Sequence, residues 1–351
     1  MAKYIKKKIT MCINNVEKGG AEKQFLYIYD YLKNHYEVNI ILTNKKGIKN
    51  LDKNIKKKIT VGFINYFFFV LNKKPDVVLF FLPKTYILFG LISLIFPKLK
   101  KIMFRRSLNY YQSNFIIKYL EVFLHKFTQL ICSNSLAAKK ELIDNEKVSD
   151  EKIFILKNFI DNEKYKESTE LKINKKCLNF LCTSNFIDYK GHKLILETFN
   201  NLKTKLNWRI YFLGKKSNFN FNLIKSTAKK YNFDHKVFHI NRLSSNIKYP
   251  NFKFGLLFSK NESFPNAILE YLKLNLDVIA YNTGDIKRLM KNEGLIFSTR
   301  NAQKIAMKMD TYLVKKRKKI KTLQLNKIIH PYQNKKLFLI LKNKIDSLCV
   351  D

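Results

Sequence analysis

Short apolar runs alternate along the chain with longer segments that are apolar on one face, a pattern typical of parallel strands and their covering helices. The run Phe254–Phe258 predicts a buried strand and Ser259–Ser263 a loop. Pro265 is predicted to be the first residue of a helix, where its missing N–H costs nothing. The pattern therefore predicts part of a doubly wound sheet, which continues as strand, short helix and strand at Asp277–Tyr281, Asp285–Lys291 and Leu295–Phe297.

The first half of the chain repeats this alternation. Ile9–Val16 predicts a strand, and the pair Gly19 and Gly20 predicts the turn into the amphipathic helix FLYIYDYL. Glycines at such a turn let backbone N–H groups approach a phosphate or a sugar closely. A lone Gly-Gly is more often an ordinary turn, so its position between strand and helix carries the argument.

The stretch Val77–Pro97 is almost wholly apolar. Pro83 and Lys84 interrupt it, and the remaining Tyr86–Phe96 is far shorter than the ~20 residues that a membrane-spanning helix needs. We therefore expect a buried strand, a turn and a helix. The basic N-terminus is followed only by the short apolar run Ile9–Ile13, so no secretory signal is expected.

Two glutamates flank the start of the helix predicted at Pro265. Glu262 lies in the preceding loop and Glu270 about one and a half turns into the helix. Ligands of a doubly wound sheet bind at the carboxyl ends of its strands, and the N–H groups of Asn266 and Ala267 suit an anion such as a phosphate. Because two glutamates at this spacing are usually surface carboxylates, the surrounding sequence has to decide.

The residues around Glu270 carry a family resemblance. Glu-Ser-Phe-Pro-Asn before it and Val-Ile-Ala-x-x-x-Gly-Asp-Ile after it resemble the donor site of the retaining glycosyltransferases of family 4. The turn at Gly19, the element ILKNFID and the sequence Lys190-Gly191-His192 follow in that family's order, so the resemblance extends over nearly the whole chain. It implies the α/β fold GT-B, in which two Rossmann-like, doubly wound parallel-sheet domains face each other across a cleft.

The resemblance also implies a domain organisation. We expect an N-terminal acceptor-side domain at residues 1–165 and a nucleotide-sugar donor domain at residues 166–333. Residues 334–351 would form a helix that packs back toward the first domain. The most polar stretch, Asp161–Lys176, is the predicted linker.

In that family the glutamate in the helix accepts hydrogen bonds from the ribose hydroxyls, which assigns this role to Glu270. Glu262 would lie beside the donor sugar, and Lys190 would hold the pyrophosphate together with the helix start. Gly19 and Gly20 would close the cleft from the other domain. The predicted catalytic residues are Glu262 and Lys190, and the predicted donor-binding residues are Gly19, Gly20, Asn185, Lys190, Ser263, Phe264, Pro265, Asn266, Ala267 and Glu270.

Two positions depart from the family pattern. Asn185 stands where the family has an arginine, and an amide cannot supply the charge-assisted hydrogen bonds that are roughly twice as strong as neutral ones. Arg105 and Arg106 follow a predicted strand where many relatives have a histidine, so an arginine would stand in for it there. A retaining reaction needs no separate base if the departing phosphate takes the acceptor proton, and catalysis then rests on positioning and charge stabilisation.

The resemblance implies a retaining, metal-independent glycosyltransferase that moves a sugar from a nucleotide-diphosphate sugar to a glycan or a polyprenyl- or lipid-linked acceptor, in surface polysaccharide or lipopolysaccharide biosynthesis. The alternatives are a non-catalytic polyanion-binding protein that keeps the GT-B fold, or a GT-B sugar-nucleotide epimerase. The base, the sugar and the acceptor stay open, although Asn241–Ser245 is expected to help select the base.

Charge widens the choice of partners. The chain has 67 basic and 27 acidic residues, a net charge of +40, which attracts polyanions. Compositional bias explains such a balance equally well, and no zinc spacing or RNP-like aromatic pair favours nucleic acid. Peripheral contact with an anionic membrane is expected at Tyr86–Arg106, where cations adjoin apolar residues: Lys98, Lys100, Lys101, Arg105 and Arg106 among Phe96, Met103 and Phe104.

Cysteine, histidine and acidic residues indicate neither disulfides nor a metal cofactor. The five cysteines have no paired spacing, which fits a reducing cytoplasm. No Asp-x-Asp occurs, and the six histidines form no sequence cluster with carboxylates. We therefore expect no cofactor besides the nucleotide sugar, and a cytoplasmic protein peripheral to the inner face of the membrane.

Overall fold

The computed structural model describes residues 6–17, 19–108, 114–161, 166–167, 173–204, 206–214, 218–240, 247–248, 251–291, 293–315 and 322–349. The chain divides into two compact units, one formed by Met1–Phe159 with Asn334–Asp351 and the other by Ile160–Gln333. The first unit thus ends at Phe159, before the boundary at residue 165 expected from the sequence. Strands and helices are numbered along the chain.

The first unit is built on a seven-stranded sheet in the order β3-β2-β1-β4-β5-β6-β7, in which every neighbouring pair is parallel. Its central strands are buried on both faces, as their continuous apolar sequence predicts. The strands are β1 Lys8–Ile13, β2 Glu37–Leu42, β3 Ile59–Val61, β4 Val77–Phe81, β5 Lys100–Arg105, β6 Leu130–Ser133 and β7 Ile153–Ile155.

Six helices connect these strands, and local capping sets where several begin. The Asn114 side chain accepts hydrogen bonds from the N–H groups of Ile116 and Ile117, and the Ser135 hydroxyl accepts one from Ala138. These contacts satisfy free N–H groups in the first turns of two helices. The helices are α1 Gly20–Leu32, α2 Lys53–Lys56, α3 Phe63–Lys73, α4 Pro83–Ser93, α5 Phe115–His125 and α6 Leu136–Glu146.

The second unit contains a six-stranded sheet in the order β11-β10-β9-β13-β14-β15 and a separate two-stranded pair, β8 with β12. All pairings are parallel. The strands are β8 Lys166–Glu167, β9 Leu178–Thr183, β10 Trp208–Leu213, β11 Val237–Ile240, β12 Ile247–Lys248, β13 Phe252–Leu257, β14 Asp277–Tyr281 and β15 Leu295–Phe297. The helices are α7 His192–Asn200, α8 Asn218–Lys230, α9 Asn266–Lys273, α10 Ile286–Met290, α11 Ala302–Lys315 and α12 Thr322–Gln333.

The order of strands in the second unit locates its ligand edge. From β9 the chain moves outward through β10 and β11, then returns to β13 and moves outward on the other side through β14 and β15. The strand order therefore reverses between β9 and β13, and in doubly wound sheets ligands bind beyond the carboxyl ends of the strands at this point. The loops after β9 and β13 flank it.

A last helix, α13 Leu339–Leu348, belongs to the first unit although it follows the second in sequence. Phe338, Leu341 and Ile345 are buried in the same hydrophobic cluster as β1, β2 and α1. The Tyr36 hydroxyl donates to an Asp346 carboxylate oxygen at 2.8 Å, and this contact fixes the helix beside β2.

The structure confirms an α/β chain with two parallel sheets and corrects two local expectations. Pro265 precedes α9 as its N-cap, with an extended ψ of 119°, and the helix starts one residue later. Only part of the segment Tyr86–Arg106 can face a membrane, because Lys101, Met103, Phe104 and Arg105 are buried in β5 whereas Lys98 and Lys100 are exposed. No helix in the described ranges is long and apolar enough to cross a membrane.

Candidate active site

An ion pair joins the two loops at the point where the strand order reverses. Lys190, from the loop after β9, donates through Nζ to Oε1 of Glu262, from the loop after β13, at 2.6 Å. The side chains are only 18% and 14% exposed. The structure thus brings together the two residues that the sequence marked as catalytic, 72 positions apart.

Backbone packing holds these loops together. Gly191 has a left-handed φ of +75°, and a Cβ there would collide with the carbonyl oxygen of Phe258 at the end of β13. The N–H of Lys260 also donates to the carbonyl oxygen of Tyr189 at 2.7 Å. The glycine of the Lys-Gly sequence is therefore required for the close approach of the two loops.

The loop after β14 supports Glu262 from the other side. The N–H of Glu262 donates to the Thr283 hydroxyl at 3.2 Å, and that of Asp285 donates to the carbonyl oxygen of Ser263 at 3.1 Å. A Cβ at Gly284 would collide with the carbonyl oxygens of Glu262 and Ser263. Three successive loops thus fix the backbone around the glutamate.

The Glu262 carboxylate keeps the lysine charged despite its burial. Desolvation by itself would lower the pKa of Lys190, but the Glu262 carboxylate and the nearby Tyr189 more than offset it, so the pKa lies above its ordinary value. Lys190 is therefore a positive charge at neutral pH. A buried cation at this edge of the sheet is suited to an anionic ligand.

Helix α9 begins directly behind the pair. Asn266 and Ala267 form its first turn and are half-buried, and Glu270 lies half-buried in the second turn. Ser263, Phe264 and Pro265 are buried, and the Phe264 ring packs against Tyr332 in the hydrophobic cluster. The Phe264 side chain therefore anchors the loop to the core, while the helix N-terminus supplies N–H groups and positive potential.

The loop after β9 presents Asn185 to solvent and buries a histidine beneath it. Asn185 is exposed. Because its amide is uncharged, the site has no cation at the position where the resembling family has arginine. His192 opens α7, stacks on Phe186 with ring centroids 4.8 Å apart, and lies 2.9 Å through Nε2 from the Ser184 hydroxyl. Burial and the charge of Lys190 lower the pKa of His192 to about 4, so the ring is neutral at neutral pH.

Sequence reasoning missed two residues, Arg300 and Tyr271, that brace the strands and loops of this site. Arg300, which follows β15, donates to the carbonyl oxygen of Phe258 at 3.2 Å and lies over the Tyr281 ring, 5.1 Å from its centroid. The Tyr271 hydroxyl donates to the carbonyl oxygen of Leu256 at 2.9 Å and accepts from the N–H of Thr183 at 2.7 Å. No sequence spacing connects these side chains with their partners, which lie on other strands and loops.

In the first unit, Gly19 and Gly20 lie at the start of α1 as predicted. Gly19 has extended backbone, and a Cβ there would collide with the carboxylate of Glu22. Burial raises the pKa of Glu22, and its own backbone N–H lowers it less. This helix start therefore already holds a carboxylate of its own.

The two arginines at the end of β5 make contacts within the first unit. Arg105 is fully buried and pairs with Glu121 at 3.1 Å and with Glu146. Arg106 is largely buried and donates to the carbonyl oxygen of Leu156 at 3.2 Å and to Oδ1 of Asn158 at 3.1 Å. The expectation that one of them stands in for a catalytic histidine is therefore wrong for Arg105, while Arg106 secures the segment after β7.

The same buried cluster contains the group of potential metal ligands found in the part of the chain that the structure describes. Glu121, His125 and Glu146 bring their ligand atoms within 4.8 Å of one another. Nε2 of His125 lies 2.8 Å from a Glu146 oxygen, and the Arg105 guanidinium contacts both carboxylates. A permanent cation already occupies the place of a metal ion, so the cluster is a salt-bridge network.

Comparisons with known structures define the fold. A glycosyltransferase from Rickettsia africae ESF-5 is 16% identical, with 99% of this chain and 100% of that one covered and a TM-score of 0.81. Anabaena Alr3699/HepE, solved in complex with UDP and glucose, is 14% identical, with 97% of this chain and 100% of that one covered and a TM-score of 0.83. WaaG, a glycosyltransferase involved in lipopolysaccharide biosynthesis, is 12% identical, with 98% of this chain and 100% of that one covered and a TM-score of 0.73. The chain has the GT-B fold.

The family follows from the second unit. Residues 163–327 match the family Glycosyl transferases group 1, so this unit is a group-1 glycosyltransferase domain, and the recognition made from the sequence is confirmed at that level. The narrower assignment to family 4 stays a prediction. No curated protein sequence matches the chain. The segment Asn241–Ser245, expected from the sequence to help select the base, lies outside the described residues.

Proposed function

We propose that the chain is a retaining, metal-independent glycosyltransferase that uses a nucleotide-diphosphate sugar as donor. The observation that carries the proposal is the Lys190–Glu262 pair, which lies at the reversal of strand order in a group-1 domain and directly before the N-terminus of α9. A fixed cation, a helix N-terminus and a carboxylate are the groups that a nucleotide-diphosphate sugar requires.

The roles of the residues follow from charge and position. Lys190 and the N–H groups at the start of α9 bind the pyrophosphate and stabilise the charge that develops on it as the sugar departs. Glu262 is held beside Lys190 and orients the donor sugar. Glu270, in the second turn, accepts hydrogen bonds from the ribose hydroxyls.

The reaction proceeds on one face of the sugar. The bond between the anomeric carbon and the diphosphate oxygen breaks, the acceptor oxygen attacks from the same side, and its proton passes to the departing phosphate. The protein then needs to position the donor and stabilise charge, and needs no separate base. Lys190 and the helix N-terminus take the part that a divalent cation plays for diphosphates elsewhere.

UDP-sugars are the donors to test first, because Anabaena Alr3699/HepE, which shares the fold, has been solved with UDP-glucose. The proposed acceptor is a glycan or a polyprenyl- or lipid-linked sugar. Its setting is the assembly of surface polysaccharide or lipopolysaccharide at the inner face of the cytoplasmic membrane.

Donor binding tests the proposal directly. The thermal unfolding midpoint of the full chain is measured with UDP, GDP and ADP and their sugar conjugates, with and without a chelator. One base should raise the midpoint by several degrees, without a metal requirement. Glu270→Ala should abolish the shift, whereas Glu262→Gln should keep it and slow sugar transfer.

Glu197→Gln is the matched control, because Glu197 forms a surface pair with Lys193 on α7 of the same unit, at 3.8 Å. It should leave both binding and transfer unchanged. No shift with any nucleotide would overturn the donor assignment. A shift that disappears equally for all bases as salt rises would indicate the rival polyanion-binding protein.

A further inference from the structure

Part of the surface of the first unit consists of large apolar side chains that are exposed to water. Helix α4 is almost wholly buried between α3 and α5: its Phe89 ring lies 4.6 Å from that of Tyr66 on α3, and Gly90 allows Leu124 of α5 to approach closely. The three helices therefore lie side by side. We call their outward surface the α3–α5 face.

Large apolar side chains follow this face at helical spacing. On α3, Ile64 and Phe68 are 69% and 52% exposed, one turn apart and opposite the buried Tyr66 and Val70. On α5, Phe115 is 76% exposed. The exposed apolar residues of the face are Phe63, Ile64, Phe68, Leu71, Leu91, Ile95, Phe115, Ile116, Ile117, Tyr119, Phe123 and Phe127.

Helix α5 has the reverse of the usual polarity. Its inward positions include Glu121 and His125, which join the buried network with Arg105, while its outward positions include Ile116 and Phe123. A helix of a globular protein normally buries its apolar side and exposes its charges. Apolar side chains placed outward over so wide a surface mark an interaction site.

The charges of the face select the partner. On α3, α4 and α5, all of whose residues the structure describes, the only acidic residue is Glu121, and its side chain is buried. Exposed lysines surround the apolar residues at Lys73, Lys74, Lys84, Lys98 and Lys126. A second copy would bring the same cations and a net charge of +40 against them, whereas anionic headgroups would neutralise them.

We propose that the α3–α5 face docks on an anionic lipid bilayer, with its apolar side chains in the interface and its lysines at the headgroups. The inference deepens the membrane location in the proposed function and rests on it. Of the segment Tyr86–Arg106 it keeps the exposed Leu91, Ile95 and Lys98 and leaves out the buried part in β5, and it adds the outward sides of α3 and α5. Affinity for such a surface grows with buried apolar area and with electrostatic attraction.

Vesicle flotation of the purified full chain tests the face. Binding should be much stronger to phosphatidylcholine vesicles containing about a third phosphatidylglycerol than to phosphatidylcholine alone. Ile116→Ser with Phe123→Ser should weaken it at least about tenfold. The control is Met307→Ser with Val314→Ser on α11, because these side chains are 66% and 67% exposed and lie in the second unit; it should bind as wild type.

A charge variant separates the two contributions. Lys84→Gln with Lys126→Gln should reduce the preference for anionic vesicles by about fivefold per lysine. Lys229→Gln with Lys230→Gln, on the exposed surface of α8, removes the same charge elsewhere and should have little effect. Equal losses in both pairs would show a response to net charge alone and would overturn the assignment to this face.

Two further outcomes are informative. If the Ile116/Phe123 variant floats like its control, the docking proposal is wrong. If wild type self-associates without lipid and this variant is monomeric by sedimentation, a second copy covers the face and the proposal is again wrong. The nucleotide-induced thermal shift, measured on the same samples, reports the donor site separately, so the two proposals fail independently.

Discussion

Gly191 packs so tightly against the carbonyl group of Phe258 that no Cβ fits between them. The contact joins the loop that carries Lys190 to the strand that leads into Glu262. The separation of the two charged side chains thus depends on a residue that takes no part in the chemistry.

Gly191→Ala should therefore damage both stability and donor binding. The left-handed φ of +75° and the collision with Phe258 together should lower the free energy of unfolding by about 3 kcal/mol, measured by urea denaturation. Asn275→Ala is the control, because Asn275 has a φ of +59° but is exposed. It should cost about 1 kcal/mol. Equal losses in the two variants would contradict the close-contact argument.

The Lys190–Glu262 pair should show strong coupling in a double-mutant cycle. Both side chains are largely buried, so Lys190→Gln or Glu262→Gln alone leaves a partly desolvated charge unpaired. We expect each single substitution to lower the free energy of unfolding by about 2 kcal/mol. The double variant should lose less than the sum of the two, which corresponds to a coupling energy of about 1–3 kcal/mol. The exposed Lys193–Glu197 pair should give under about 0.5 kcal/mol. Similar coupling in the two cycles would contradict the role of burial.

Asn185→Arg should strengthen binding of the nucleotide sugar. The exposed position in the loop after β9 can accept the longer side chain, and a guanidinium adds charge-assisted hydrogen bonds to a diphosphate. We expect a gain of about 1 kcal/mol, or roughly fivefold in Kd, by calorimetry. Ile187→Arg adds the same charge in the same loop and is the control. Equal gains would show a general electrostatic effect.

His192 should make the stability of the chain sensitive to acid. Burial and Lys190 lower its pKa in the folded state from 6.5 to about 4, so the unfolded chain binds more protons between these values. Stability therefore rises with pH across this window and is constant above it, with a total of about 3 kcal/mol. His192→Gln should flatten the curve of unfolding free energy against pH from 4 to 6.5. His235→Gln, at an exposed position, should keep the wild-type slope.

Glu146→Gln should lower the free energy of unfolding of the first unit more than a substitution at its surface does. Although burial disfavours its charged form, hydrogen bonding to His125 and the charge of Arg105 hold the pKa of Glu146 below its ordinary value. Removal of the carboxylate leaves Arg105 with Glu121 as its remaining buried partner and takes away the ion-pair partner of His125, at a cost of about 3 kcal/mol. Asp150→Asn breaks a surface pair with Lys139 and should cost under about 1 kcal/mol. A small loss for Glu146→Gln would show that Glu121 alone compensates the arginine.

The sequence was sufficient for the fold where burial and local chemistry act together. The apolar runs became β13, β14 and β15, and Gly19 and Gly20 begin α1 as predicted. The start of α9 was misplaced by one residue, because Pro265 adopts an extended ψ and caps the helix from outside. Such end effects depend on a backbone angle that composition does not determine.

The contacts that define the site and the α3–α5 face could not be predicted from local sequence patterns. Lys190 meets Glu262 only because two distant strands are neighbours at the sheet reversal, and Arg300 reaches Phe258 from a third. The cations and aromatics of Tyr86–Arg106 suggested a surface, yet β5 lies inside the sheet and buries Lys101, Phe104 and Arg105. The outward apolar side of helix α5 could not be predicted, because Glu121 and His125 are turned inward by pairing with residues far away in sequence.

The place of α13 has a consequence for biosynthesis. Phe338, Leu341 and Ile345 belong to the core of the first unit but are synthesised after the whole of the second. Until they are made, the first unit exposes the apolar surface beside β2 and α1 that they cover. The unit whose synthesis begins first is therefore the last to be completed, and until then its exposed apolar surface is open to aggregation.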